Sequence, residues 1–204
     1  NPTLMRKAGV VDYEKFCKEV LEVVNGKPVS FEVFADEFDE MERQARIISA
    51  WGENLYVKIP ITNTRKESAV SLVKKLYGEG IKLNITAILT TDQVIDVSKV
   101  LDGEVSTIVS VFAGRIADTG RNPVPYMRRA KILLNQCKNV ELLWASPREV
   151  LNISEANDSG TDIITCPPEM ITKYQKLIGK DLAQFSLETV RMFYNDGLAA
   201  GYSL

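Results

Sequence analysis

The stretch Leu55-Tyr56-Val57-Lys58-Ile59-Pro60-Ile61 decides how the rest of the chain is read. It is short, rich in branched residues and ended by a polar loop, which are the marks of a strand. Successive side chains of a strand point to opposite faces. Leu55, Val57, Ile59 and Ile61 therefore share one apolar face, and Lys58 takes the other.

The same division recurs on both sides of this segment. In Val29-Ser30-Phe31-Glu32-Val33, Phe31 and Val33 share a face and Glu32 opposes them. In Leu83-Asn84-Ile85-Thr86-Ala87, Ile85 and Ala87 oppose Asn84 and Thr86. In Val109-Ser110-Val111-Phe112, Ser110 shares a face with Phe112 and opposes the two valines. Parallel strands are ordinarily apolar on both faces. One uniformly apolar face suits packing against helices, and the other would turn Lys58, Glu32, Asn84, Thr86 and Ser110 toward the inside of a barrel. Burying these groups is costly unless they form one network. That cost points to a function.

Further outward, β-rich runs alternate with helical patterns. Strands are expected at 29–35, 54–61, 81–89, 105–112, 139–145 and 161–166. Helices are expected at 36–51, 67–77, 91–100, 124–136, 147–157, 168–177 and 185–198, with Thr90 or Thr91 as a cap. Strand–helix units of this length make parallel βαβ crossovers. Six such strands, with one or two more ahead of residue 1, predict an α/β fold of the eight-stranded (β/α)8 TIM barrel kind in a single domain over 1–204. A doubly wound open sheet is the competing arrangement, weakened by the absence of a Gly-x-Gly-x-x-Gly turn.

The composition narrows the chemistry. The 204 residues are 45% hydrophobic and 25% charged, and the net charge is −2, which gives no reason to expect nucleic acid or an anionic membrane as partner. The chain has no histidine, so histidine acid–base work and a Ser-His-Asp triad are excluded. Its three cysteines, Cys17, Cys137 and Cys166, are widely spaced and read as reduced thiols of a cytoplasmic protein rather than zinc ligands or disulfide partners. No metal and no cofactor are expected. There is no 20-residue apolar run, so no transmembrane helix is expected.

A lysine among apolar neighbours is desolvated, and burial disfavours its ammonium form. A neutral amine attacks carbonyl carbon to give a Schiff base, whose protonated imine is an electron sink for carbon–carbon cleavage. Glu32 could then supply protons, through a water held by Thr86. A second constellation consists of Arg115, Ser146 and Arg148, which follow two of the expected strands. Two guanidiniums and a hydroxyl at the C-terminal ends of strands suit a phosphate. The plainer readings are a solvated edge-strand lysine, and surface pairs Arg115–Asp118 and Arg148–Glu149.

Taken together, five ordered segments resemble the transaldolase family in its short form, shared with fructose-6-phosphate aldolases. They are Asn1-Pro2-Thr3, similar to the end of a Thr-Thr-Asn-Pro segment; Val57-Lys58-Ile59-Pro60-Ile61-Thr62; Gly80-Ile81-Lys82-Leu83-Asn84-Ile85-Thr86; the run Ser110-Val111-Phe112-Ala113-Gly114-Arg115-Ile116-Ala117-Asp118-Thr119-Gly120; and Ala145-Ser146-Pro147-Arg148. The resemblance covers nearly the whole chain. It implies that Lys58 is the Schiff-base lysine, that Glu32 and Thr86 hold a catalytic water, and that Asn1 and Asn84 bind donor hydroxyls. It further implies that Ser110 and Phe112 line the site and that Arg115, Ser146 and Arg148 hold phosphate. A catalytic aspartate on the family's first strand would precede Asn1.

The implied reaction is transfer of a dihydroxyacetone unit from a ketose phosphate, fructose 6-phosphate or sedoheptulose 7-phosphate, to an aldose phosphate, as in the pentose phosphate pathway. Glu32 and Phe112 stand where the fructose-6-phosphate aldolases tend to carry glutamine and tyrosine, so the resemblance favours a transaldolase over an aldolase. Glu149 departs from the asparagine often found in the family. A catalytically silent sugar-phosphate-binding barrel is the alternative from another class; it would have no need of a desolvated lysine. The resemblance also implies a homo-oligomer, a pentamer or decamer, joined through the C-terminal helix.

Overall fold

The structure, a computed structural model, describes residues 2–203. Two helices outside the sequence expectations come first, α1 (Pro2–Lys7) and α2 (Tyr13–Val24). Asp12 caps α2 by accepting from the Lys15 amide at 3.0 Å. Tyr13, Cys17, Val20 and Leu21, at helical spacing, then pack on the core.

Strands and helices alternate from there: β1 (Val29–Glu32), α3 (Phe38–Ser49), β2 (Leu55–Pro60), α4 (Val70–Gly78), β3 (Leu83–Ile88), α5 (Thr91–Ser98), β4 (Thr107–Val111), α6 (Ala113–Ala117), α7 (Val124–Leu134), β5 (Val140–Trp144), α8 (Leu151–Asp158) and β6 (Ile163–Ile164). All five strand pairs are parallel, in the order β1-β2-β3-β4-β5-β6. A doubly wound sheet reverses its order at a switch point. Here neighbours in sequence are neighbours in space throughout, so the winding is single and the open-sheet alternative falls. The described residues form the six parallel strands expected of this chain, an arrangement consistent with part of a (β/α) barrel.

Two separate apolar clusters prove the two faces. Leu55, Val57, Ile59, Leu83, Ile85, Val109, Leu142 and Trp144 belong to the main core with the helices. Tyr56, Ile108, Leu143 and Ala145 form a second cluster, with Phe112 and Ile163 packed against it. Tyr56, Ile108 and Leu143 lie on β2, β4 and β5, so residues of non-adjacent strands share a cluster on the face that bears Lys58. Next-but-one strands of a flat sheet stand roughly 10 Å apart, and such contact requires that this face be concave.

The alternation fails at one point. Register slips by one residue between Ile85 and Ile88, and Ala87 lies in the left-handed region with φ 61°. This bulge returns Ile88 to the helix-packed core. Ala87 is thus the bulge residue rather than a partner of Ile85 on the helical face. Bulges of this kind recur beside active sites, where they re-aim side chains.

Several boundaries move inward for local reasons. The helix expected from 67 begins at Val70, because Asn63 Oδ1 accepts from the amides of Arg65 and Glu67 and holds a turn there. The helix expected from 147 begins at Leu151: the preceding Ser146 has φ 59°, and Asn152 Oδ1 takes the amides of Arg148 and Glu149. Thr90 and Gln93 form a capping box at the start of α5, as the threonine cap predicts.

The chain divides into two units, Asn1–Thr165 and Cys166–Leu204. The second contains α9 (Pro168–Leu177) and α10 (Leu182–Ala200). The last helix, expected at 185–198, extends further at both ends. Asp181 accepts from the Gln184 amide at its start, and Gly201 closes it with φ 68°. None of the residues of α10 is buried. Among the described residues no helix is long and apolar enough to cross a membrane.

Candidate active site

The strand register assembles the catalytic candidates in one row. Glu32 pairs with Lys58 across β1 and β2, and Lys58 pairs with Asn84 across β2 and β3. Thr86 lies one alternation further along β3, opposite Pro60. The period-2 argument from sequence is therefore realised in space.

Lys58 Nζ stands 3.8 Å from Glu32 Oε2. That is close enough for mutual charge stabilisation and too far for a direct hydrogen bond. Asn84 and Thr86 are buried, 4% and 2% exposed. Asn84 Oδ1 accepts from Ser110 Oγ at 2.7 Å, and its Nδ2 donates to Ser30 Oγ at 2.9 Å. Thr86 Oγ1 is buried with no hydrogen-bond partner among the described protein groups. An orphan hydroxyl of this kind requires an explanation. It lies on the face that carries Lys58, one alternation further along β3.

The backbone of Glu32 is held independently of its carboxylate. The Tyr13 hydroxyl donates to Glu32 O at 2.7 Å and accepts from Glu32 N at 3.0 Å. Burial raises the Tyr13 phenol well above its ordinary range, so it serves as a neutral hydroxyl.

The second constellation assembles through the backbone. Gly114 N donates to Ala145 O at 3.2 Å, which seats α6 against the loop after β5. The approach is so close that a Cβ on Gly114 would lie 1.5 Å from Ser146 O. Only glycine fits. Arg115 is thereby brought to the loop that carries Ser146 and Arg148, beyond the C-terminal ends of β4 and β5.

Arg115 lies over the Phe112 ring, 5.2 Å from its centroid, and makes no ion pair among the described residues. Arg148 makes a two-pronged pair with Asp118, Nε to Oδ1 at 2.9 Å and Nη2 to Oδ2 at 2.5 Å. Both surface pairs considered from sequence are replaced by this one. Hydrogen bonds from Arg148 hold the Asp118 carboxyl below the usual carboxylate range. The carboxylate is therefore ionised at neutral pH and orients the guanidinium.

All three thiols are poor nucleophiles. Burial pushes Cys17 up to about 11 and raises Cys137 and Cys166 as well. Asn1, expected to bind a donor hydroxyl, lies outside the described residues.

Sequence reasoning missed Ser30 and Asn152, and it quoted Gly114 and Asp118 within a family-like segment without giving either a part in the site. Ser30 carried a usable signal, since it lies two residues before Glu32 and so shares its face. Asp118 and Asn152 act through contacts between loops or within one turn, for which period and composition give no signal.

Comparison with known proteins gives the family. The chain is 36% identical over 189 residues to a probable transaldolase of Lactiplantibacillus plantarum, an alignment covering 91% of this chain and 82% of that protein. It is 36% identical over 174 residues to a probable transaldolase 2 of Listeria monocytogenes, covering 85% and 75%. It is 32% identical over 190 residues to a probable transaldolase of Brucella ovis, covering 93% and 82%. Residues 1–199 match the family described as Transaldolase/Fructose-6-phosphate aldolase, and the chain belongs to that family.

Proposed function

We propose that the protein is a transaldolase that carries a dihydroxyacetone unit on Lys58. The observation that carries this reading is the concave-face row Glu32–Lys58–Asn84 with the unpaired Thr86 hydroxyl beside it. In the proposed reaction the Lys58 amine attacks the C2 carbonyl of a ketose phosphate. Loss of water leaves a protonated imine. A base then takes the C4 hydroxyl proton and the C3–C4 bond breaks. Its electron pair moves into the imine to give an enamine on Lys58, and the aldose phosphate leaves. The enamine adds to the aldehyde carbon of an acceptor, and water hydrolyses the imine to release the new ketose.

Glu32 and Thr86 are the groups placed to hold the water that relays these protons. Asn84 and Ser110 meet donor hydroxyls, Phe112 lines the site, and Asn1 is assigned a donor hydroxyl on the family resemblance alone. Arg115, Ser146 and Arg148 receive the phosphate, with Arg148 pre-oriented by Asp118. Fructose 6-phosphate and sedoheptulose 7-phosphate fit as donors. The fold completing this site would be the eight-stranded barrel, and the three unpaired thiols suit a reducing cytoplasm.

The test is trapping. Incubation with fructose 6-phosphate and borohydride is expected to add a reduced three-carbon unit to the Lys58 peptide, read by intact and peptide mass. A folded protein that gains no mass would overturn the enzymatic reading and favour a binding barrel.

We also propose that α10 joins copies of this chain into a ring, a pentamer or decamer. Leu187, Val190, Tyr194 and Leu198 follow helical spacing and are all exposed, Leu198 by 64%. An exposed apolar helix face of this kind marks an interface. Light scattering is expected to give a pentamer or decamer, and glutamates at Val190 and Leu198 to give monomers. A monomeric parent protein would reject the assembly.

A further inference from the structure

We propose that Ser30 is a positioning residue, which holds the Asn84 carboxamide in the orientation that meets the donor beside Lys58. The inference rests on the Schiff-base reading above and extends it to a residue with no assigned role.

Ser30 and Glu32 share the concave face of β1. Asn84 lies on β3, and β2, the strand of Lys58, runs between them. The Asn84 Nδ2–Ser30 Oγ hydrogen bond, 2.9 Å long, therefore spans the strand of the nucleophile. On the other side, Ser110 of β4 donates to Asn84 Oδ1 at 2.7 Å. The amide is gripped at both ends, by a hydroxyl from each direction.

This double grip matters because of what a carboxamide is. It has two N–H donors and an oxygen with two lone pairs. One donor goes to Ser30 and one lone pair to Ser110, which leaves one of each to present to a ligand. The χ2 torsion of asparagine is broad. A single tether at the oxygen would let the plane pivot about that end. The second tether, at the nitrogen, removes the pivot and fixes the direction of the remaining donor and acceptor. A donor hydroxyl then meets an oriented group, and orientation is where binding groups contribute to rate.

Ser30 does not need to touch the substrate for this. Its hydroxyl acts through Asn84. Removing it leaves a buried amide N–H unpaired and frees the plane.

The experiment is a double-mutant cycle on the full chain. Wild type, Ser30→Ala, Asn84→Ala and the double variant are compared with fructose 6-phosphate as donor and erythrose 4-phosphate as acceptor. Ser30→Ala is expected to lower kcat/KM by about tenfold, the factor given by one lost buried hydrogen bond, with the loss mainly in kcat. In the Asn84→Ala background the same change is expected to do almost nothing, because the group it positions is gone. Ser30→Thr, which keeps the hydroxyl, is expected to recover most of the activity. Should Ser30→Ala not fold, Ser30→Cys, which keeps a similar volume but offers Asn84 Nδ2 only a weak acceptor, is read in its place.

An equal fold-loss in both backgrounds would overturn the proposal, since Ser30 would then act independently of Asn84. So would a Ser30→Ala enzyme with wild-type kinetics. If the wild type itself neither transfers nor forms the Lys58 adduct, it is the Schiff-base reading that fails, and this is seen before any variant is made.

Discussion

Lys58→Met is expected to lower kcat/KM for a ketose phosphate donor by about four orders of magnitude or more, because no other group can form the covalent intermediate, while the melting temperature moves by only about 4 °C or less. The two halves of this result have separate causes. The methionine side chain matches the lysine stem in volume and lies among apolar strand neighbours. The lysine's pair with Glu32 is loose, at 3.8 Å, and the two side chains keep 18% and 19% of their exposure. A pair that is partly solvated and not hydrogen-bonded contributes little to stability, so its removal costs little.

Lys58→Arg separates charge from nucleophilicity. A guanidinium keeps the positive charge beside Glu32 but stays protonated and cannot attack a carbonyl. Both variants are expected to be equally inactive and to gain no mass with donor and borohydride. An arginine variant within tenfold of wild type would show that position 58 acts by charge alone and would remove the covalent mechanism.

The proposed catalytic row was legible in the sequence because it depends on one short-range rule. Period-2 alternation places Glu32, Lys58, Asn84, Thr86 and Ser110 on one face whatever the surrounding architecture, provided the segments are strands. The register then needs only the parallel pairing that strand–helix alternation already implies. What that rule omits is the insertion of a residue. Ala87 breaks the period at the bulge after Thr86, and no property of an alanine announces φ 61°. The identity of the residue argued against that conformation, which asparagine or glycine adopts at less cost. Tertiary packing of Ile88 overrides the local preference.

The phosphate constellation was legible only in part, for the complementary reason. Arg115, Ser146 and Arg148 could be placed near strand ends, but their partners depend on how two loops meet. Composition offered Asp118 and Glu149 as neighbours in sequence. The structure pairs Arg148 with Asp118, 30 residues away. Helix α2 was missed because its interleaved acidic and basic residues hide its apolar face; the Asp12 cap and the spacing of Tyr13, Cys17, Val20 and Leu21 carried a signal that the strand-first reading passed over.

The meeting of those two loops leads to the second large effect. Gly114→Ala is expected to destabilise the protein by about 3 kcal/mol, at the upper end for overpacking. A Cβ there would lie 1.5 Å from Ser146 O and 2.6 Å from Ser146 C, and both are backbone atoms. No rotamer change can relieve the clash, so the loop after β5 must move away from α6. Ser146 already has φ 59°, a conformation with little freedom to absorb the shift. Displacing the loop also separates Ser146 and Arg148 from Arg115. The consequence for function is specific: KM for fructose 6-phosphate is expected to rise about tenfold, from one lost charge-assisted phosphate contact, while turnover of unphosphorylated fructose changes far less. Urea unfolding gives the stability loss and paired kinetics with the two sugars give the selectivity. A variant equally impaired with both sugars would mean that the Gly114–Ser146 contact supports the barrel as a whole. An unchanged KM for the phosphorylated donor would mean that Arg115 and the Ser146 loop do not hold a phosphate between them.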